Sequence, residues 1–418
     1  MTEKDLGAAR RVAVTGIGMR TPAGNTVKQA AATLLAAEST ATTLPELVDG
    51  DAVVTFGCAV SELDEHEHLT PKERRQLDRP SRLALCAALD AVRDAGPEWT
   101  IEPDRGGVFV GTGIGGLSTM EDAALRNQHR PNRIPAMTVV RVMNSSPAGR
   151  IGAKLGLRGA SPTISTACAS GATAIGEAAR RIRSGDLDVA VAGGVDAPLS
   201  PLVVSAFAAM RALSTRVDAP RLASRPFDDD RDGFVMAEGA VFLVLERLDR
   251  ARERGAHIFG EVAGYHANTD PGDIVAPAPD GAIAAACVQA ALHDAGLSAA
   301  DITHVSAHGT STTQGDRAEA LALARAFGDR CPPVTAPKGV VGHMVGAAGA
   351  FEAAMALVFA ADGVVPPVAN FRSGRDAEPI DLVVGAPRRV APGPAVSTSF
   401  GFGGQNASLV LTPAPAIP

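Results

Sequence analysis

The chain predicts an α/β protein with largely buried sheets, and three observations point to it. Short apolar runs end in glycine turns, helical patterns lie between them, and the alternation begins afresh near Ile258. The first strand is Arg11-Val12-Ala13-Val14-Thr15-Gly16-Ile17-Gly18, apolar and closed by a Gly turn. Gly107 to Gly113 and Val189 to Gly194 have the same character, and Val241 to Glu246 adds another strand. Helical patterns fall at Arg82 to Ala95 and Gly176 to Ser184. The second half supplies a strand (Ile258 to Gly264), a helix (Ala282 to Ala295), a strand (His304 to Ala307), a helix (Asp316 to Phe327) and a final strand (Ser408 to Leu411). Two successive units of this kind, 1–255 and 256–418, suggest a duplication, although identity between them is too weak to prove it. The 418 residues exceed what one core usually fills, which fits two core-forming halves. The Pro-rich tail, Thr412 to Pro418, is expected to fray.

Composition narrows the class. Hydrophobic residues make up 46% and charged residues 20%, as in a soluble globular protein. With 44 glycines, one Trp and one Tyr, close backbone packing and tight strand-to-helix turns are expected. The net charge of −7 argues against a general nucleic-acid binder, while local basic clusters could still meet an acidic protein. Cys58, Cys86, Cys168, Cys287 and Cys331 are odd in number, scattered and without a CxxC pair. That pattern, with no signal-peptide pattern in Met1-Thr2-Glu3-Lys4-Asp5, predicts a reducing, cytoplasmic setting and no structural zinc. The longest apolar stretch, Val340 to Ala361, contains His343 and Glu352 and is read as a buried helix, not a membrane span.

Chemistry concentrates around Cys168. It lies where the extended run Thr163-Ile164-Ser165-Thr166 turns into a small-residue helix, so its thiol is placed at a helix N-terminus. Unpaired N–H groups there favour an anion, and the thiolate is the nucleophile. The alternative is a free Cys packed as a small hydrophobe. His308, in Ala307-His308-Gly309-Thr310-Ser311-Thr312, and His343, in Gly342-His343-Met344-Val345-Gly346, lie at strand ends or helix entries. Either alone could be a hydrogen-bonded structural residue. Lys338 and Glu352 are flanked by apolar residues and need partners, since burying an unpaired charge is costly. A Cys–His arrangement suits covalent acyl transfer. There is no HExxH, and no metal is expected.

In order and spacing, these motifs resemble the elongating β-ketoacyl-acyl-carrier-protein synthases, the ketosynthases of fatty-acid and type II polyketide assembly. The residues that carry the resemblance are Thr166-Ala167-Cys168-Ala169-Ser170-Gly171, His308 to Thr312 with Gly315-Asp316, Lys338 with Gly342-His343 and Gly346 to Glu352, and Ser399 to Asn406. Arg211 to Arg216 and Arg225 to Phe234 extend it over roughly residues 11 to 412.

The resemblance implies a thiolase-like fold, a duplicated five-layer αβαβα architecture, usually as a dimer. Cys168 would take an acyl group from a carrier-protein thioester. His308 and His343 would stabilise the enolate left when a malonyl-type extender decarboxylates. The N–H groups of Cys168 and Phe402 would form an oxyanion hole, with Phe402 also gating the acyl pocket. Thr310 and Thr312 would bind phosphopantetheine, which arrives on the carrier, so no resident cofactor is expected. Lys338 and Glu352 would orient the histidines, Ile114 would shape the pocket or simply fill core, and Asp316 would cap the following helix. Lys72, Arg74 and Arg75, with Arg130, Arg133 and Arg211, would meet the acidic carrier or form a solvated face. The resemblance implies as partner subunit a second copy or a chain-length-factor-like chain. A chain-length-factor-like role for this chain itself is disfavoured by its Cys, both His and Lys; a thiolase is disfavoured because Phe400 to Asn406 holds no second Cys. Thr313 stands where relatives commonly have Pro, Gln405 occupies a variable position, and Asn268 to Asp280 departs from the fatty-acid pattern near the expected entrance.

Overall fold

Two sets of five strands with one shared topology build the molecule. The computed structural model describes residues 11–99 and 101–414. The first set is β1 (Val12–Arg20), β2 (Gly106–Gly111), β3 (Thr163–Ile164), β4 (Val189–Asp196) and β5 (Gly239–Arg247). The second is β6 (Gly260–Thr269), β7 (His304–Ser306), β8 (Val334–Thr335), β9 (Ala395–Gly401) and β10 (Gln405–Pro413). Their spatial orders are β3-β2-β4-β5-β1 and β8-β7-β9-β10-β6, the same permutation twice. In each set the first three strands of that order run parallel and the other two pair antiparallel. The sets join edge to edge through a short antiparallel pairing of β1 with β6, Ala13 opposite Glu261 and Val14 opposite Gly260. The repeated unit that weak sequence identity left unproven is plain in the strand order.

Six helices complete the layers: α1 (Arg79–Asp94), α2 (Ser146–Leu155), α3 (Ser170–Ser184), α4 (Ala282–Ala295), α5 (Thr313–Phe327) and α6 (Ala348–Asp362). α1 and α2 cover the outer face of the first set, and α4 and α5 that of the second. α3 and α6 pack on each other and on strands of both sets, forming the middle layer. This is the five-layer arrangement of a thiolase-like α/β fold. Strand alternation explains how the layers coexist. Val189 and Val191 of β4 point to the outer core, and Ala190 and Ala192 point to the central one, where the helices come close. α6 is apolar around nearly its whole circumference because the middle layer surrounds it.

Local signals define the elements. Asp78 caps α1 by accepting a hydrogen bond from Ser81 N at 3.0 Å, with Pro80 in the first turn. α3, α4 and α6 stop at Gly185, Gly296 and Gly363, each left-handed. Gly18 serves close approach: a Cβ there would lie 2.0 Å from Ala87 O of α1.

The structure corrects several expectations. α3 begins at Ser170, a turn and a half earlier than Gly176, because the small residues before it are helical too. The apolar stretch Val340 to Ala361 is not one helix. A short helix, Lys338–Val341, ends at left-handed Gly342, the chain then extends through His343, and α6 starts at Ala348. The extended His343 is held by its N–H donating to Val235 O at 2.7 Å. Thr412 and Pro413 belong to β10; residues 415–418, like Met1 to Asp5, lie outside the described residues. Asp316 does not cap α5, since Thr312 occupies that position.

Gly18→Ala should destabilise the protein by about 1–3 kcal/mol through overpacking. Chemical denaturation, read as a lower midpoint at unchanged slope, checks this.

Candidate active site

The ends of both half-sheets face one cavity of about 570 Å³, and Cys168, His308 and His343 meet there. Cys168 lies in a short 3₁₀ turn, Ala167–Ala169, that leads into α3. Ala167 is left-handed at φ +48°, and Ser170 Oγ braces the turn by donating to Ala167 O at 2.6 Å. Gly111 of β2 lets the helix start come close: a Cβ there would stand 2.3 Å from the Ser170 carbonyl carbon. Cys168 is buried, with its Sγ 3.0 Å from His343 Nε2 and facing the Phe402 N–H.

Burial reverses one expectation. It pushes the Cys168 thiol up to about 11, against the opposing pull of the Lys338 ammonium and the Phe402 N–H. The resting residue is a thiol, not a thiolate favoured by the helix start. A base must take its proton, and His343 Nε2 is in reach.

His308 follows β7, and its position comes from a carboxylate that the sequence reading missed. Glu319 of α5 is buried and accepts from His308 N at 2.8 Å, Gly309 N at 2.7 Å and Thr398 Oγ1 at 2.8 Å. Asp316, one turn earlier, accepts from Ser311 N at 3.0 Å and Phe227 N at 2.6 Å, so it braces the histidine loop. The available signal was two acidic side chains among the alanines of one amphipathic helix, on its buried face.

Lys338 and Glu352 pair directly and both are buried, as expected. The Lys338 ammonium also donates to His308 O at 2.6 Å and meets His308 Nδ1 at 3.1 Å. Lysine has donors only, so Nδ1 accepts and Nε2 carries the hydrogen. His343 has no such constraint: its Nδ1 has no partner among the described residues. The two rings stand 5.4 Å apart and perpendicular. Burial, with the charge of Lys338, holds both imidazoles well below the usual histidine range, hence neutral at pH 7. Ligand atoms of Cys168, His308 and His343 lie within 4.8 Å of one another, a span a metal ion could bridge. Because His308 presents an N–H instead of a lone pair, the trio suits an oxyanion better than a cation.

The other predicted residues divide. Thr310, Thr312, Ile114, Phe402 and Arg211 line the cavity, and the two threonine hydroxyls lie 2.9 Å apart. Asp270 and Val275 to Ala278 line it as well, placing the divergent 268–280 segment at the cavity. Lys72 and Arg75, on the helix Pro71–Gln76, and Arg130 and Arg133, around the turn Pro131–Arg133, are exposed and do not line it. Arg74 is half-buried, 3.9 Å from Glu65. Arg141, on the helix Thr138–Val142, ties that helix to the end of the first basic segment by donating to Arg75 O at 2.6 Å and Gln76 O at 2.9 Å. An aromatic run also escaped the sequence: Phe402 stacks on Phe207, which meets Phe234 edge-on, which in turn meets His343. Phe207 belongs to the helix Pro201–Ala209, and no local pattern separates it from ordinary core.

A buried Cys beside two neutral histidines on a thiolase-like fold is an arrangement suited to acyl transfer through a cysteine. Residues 9–251 match the β-ketoacyl synthase N-terminal domain and residues 259–372 the β-ketoacyl synthase C-terminal domain. The chain is 40% identical to 3-oxoacyl-[acyl-carrier-protein] synthase 2 of Rhizobium meliloti, covering 96% of this chain and 98% of that protein. Against the protein of the same name from Vibrio cholerae the figures are 38%, 96% and 99%. Among solved structures, a β-ketoacyl synthase from Burkholderia phymatum superposes with a TM-score of 0.90 at 33% identity, over 97% of this chain and all of that one. A type II polyketide ketosynthase in complex with its acyl-carrier protein gives 0.89 at 31%, with the same coverage. The chain belongs to the β-ketoacyl synthase family, whose chemistry is carbon–carbon bond-forming acyl transfer.

Because the raised thiol is un-ionised at neutral pH, alkylation of Cys168 by iodoacetamide should keep accelerating from about pH 7 to about pH 10, without a plateau near the free-thiol value of about 8.5. Rates followed by mass spectrometry across that range check it.

Proposed function

We propose that this chain is an elongating β-ketoacyl-acyl-carrier-protein synthase, a decarboxylative Claisen condensing enzyme. The observation that carries this is the convergence of Cys168 Sγ, His343 Nε2 and the perpendicular His308 ring in one cavity. In the first half-reaction Cys168 attacks the acyl carrier's thioester. The thiol proton passes to His343, the S–C bond forms on Cys168, and the carrier's thiol leaves with a proton. The N–H of Phe402, already facing Sγ, supplies one oxyanion donor, with the Cys168 N–H as the other.

A malonyl carrier then enters along Thr310 and Thr312. Its thioester oxygen lies between the imidazoles, with the His308 Nε2–H, oriented by Lys338, as the pre-set donor. Loss of carbon dioxide leaves an enolate, which forms the new C–C bond at the acyl carbonyl and expels Cys168. Neutral donors suit this step because they stabilise developing charge without binding the initial carboxylate as an ion pair.

The acidic carrier docks on Lys72, Arg75, Arg130 and Arg133, with Arg211 at the cavity wall. A second copy, or a chain-length-factor-like subunit, covers the apolar surface of the helix Leu117–Asn127 and the segment after it. There Leu125 is 63% and Val139 64% exposed, alongside Met120, Ile134 and Met143. The names of the curated relatives, 3-oxoacyl-[acyl-carrier-protein] synthase 2, favour the fatty-acid setting, and the scattered free cysteines fit a cytoplasmic one. The divergent 268–280 wall and a ketosynthase/chain-length-factor neighbour support the type II polyketide setting as the second reading.

Cys168→Ala should abolish the covalent acyl adduct seen by mass spectrometry after incubation with acyl carrier protein; a variant that still elongates would overturn the assignment. His308→Ala should slow malonyl-carrier decarboxylation by roughly a hundredfold or more, the usual cost of removing one oxyanion donor. Lys72→Glu with Arg75→Glu should lower the carrier association rate, with a weaker salt dependence, in stopped-flow binding. Unchanged turnover would place the carrier elsewhere.

A further inference from the structure

Asp196 ends β4 with its carboxylate fully buried, and the chemistry proposed above makes no use of it. Its Oδ1 accepts hydrogen bonds from Thr112 Oγ1 at 2.7 Å, Ile114 N at 3.0 Å and Gly115 N at 3.0 Å. Its Oδ2 accepts from Gly113 N at 2.8 Å and Gly346 N at 2.7 Å. Five donors converge on two oxygens, a set only an acceptor-only group satisfies; an amide would turn its own N–H groups towards some of them.

The five donors belong to two separate segments, 112–115 and the one at Gly346. Gly113 and Ile114 form one wall. Gly346 follows the His343 segment and precedes α6, which carries Glu352. The junction has no slack, since a Cβ on Gly346 would lie 2.6 Å from Asp196 Oδ2 and 2.8 Å from Gly113 N. Between His343 and Gly346, Val345 is held left-handed at φ +46°, a costly conformation for a β-branched residue. Its flanks hold it there: His343 N is tied to Val235 O, and Gly346 N to Asp196.

We infer that Asp196 is a positioning residue that couples the cavity wall at Ile114 to the His343 imidazole, so that the fit of the bound acyl chain is transmitted to the catalytic centre. This rests on the ketosynthase function proposed above, with Ile114 against the acyl chain. A chain that displaces Ile114 moves the Gly113–Gly115 turn against the carboxylate. The carboxylate in turn holds the strained segment that aims His343. Acyl length is therefore read in the condensation step as well as in binding.

Thr112→Val and Asp196→Asn in the full-length protein test the coupling, the first being the milder change. Condensation is measured over a series of saturated acyl carriers of increasing length. Both variants should lower kcat by roughly tenfold or more, the scale of a lost hydrogen bond to a buried charge. The loss should vary with chain length, and Ile114→Ala should add little in the Asp196→Asn background. An equal loss at every length, or full additivity with Ile114→Ala, would overturn the inference and leave a purely structural carboxylate. Nitrogen-15 spectra of the histidine rings give a readout independent of activity. The His343 signals should move in Thr112→Val and in Ile114→Ala, and unmoved signals in both would sink the coupling. If the ketosynthase function itself is wrong, the unaltered protein forms no acyl-Cys168 adduct, and the ring spectra still decide the role of Asp196.

Discussion

The buried ion pair of Lys338 and Glu352 is the constraint around which the active site is arranged. Each charge alone would be strongly unfavourable in the middle of the molecule, and together they remain costly relative to apolar packing. What the pair provides is direction. The ammonium is left with donors for His308 O and Nδ1, and those contacts determine which ring nitrogen faces the cavity with a hydrogen. A neutral core would be easier to fold but would leave the His308 tautomer undetermined. The acidic partner comes from α6 and the base from the short helix after β8, so the pair also clamps two segments of the second half.

The same burial accounts for the apparent conflict at the nucleophile. A helix start is a natural place to stabilise a thiolate, yet removal from water outweighs the nearby positive groups and leaves Cys168 protonated. In the proposed mechanism reactivity is governed by a partner instead of by resting ionisation, and His343 is the base within reach. The asymmetry between the histidines follows. His308 is held by Lys338 from one side and by Glu319 through the backbone from the other, while His343 has a ring nitrogen without a partner among the described residues. In the proposed mechanism one imidazole is set to donate, and the other takes and returns a proton.

Much of this was legible in the chain. Runs such as Val189 to Gly194 and Ala282 to Ala295 gave strands and helices close to those observed, because buried parallel strands are continuous in apolar residues and helix ends are marked by Gly. Cys168, His308, Lys338 and His343 were recognisable from motifs whose small residues are required by close backbone approach. The errors had a common cause. The break at Gly342, the role of Asp316 and the importance of Asp196 depend on partners far away in sequence, and Glu319 joins the nearby histidine loop to distant Thr398.

By itself, the sequence determined the class of fold, the order of its elements and the candidate reacting groups, since periodicity, glycine placement and the four ordered motifs are local properties. Only the tertiary structure decided that the two halves share one strand permutation, that Cys168 rests as a thiol, and that His308 carries its hydrogen on Nε2. Those outcomes depend on desolvation and on which donor meets which acceptor between segments apart in sequence, 30 residues where Lys338 meets His308 and 150 where Asp196 takes Gly346 N. Neither quantity exists until the layers close over the site.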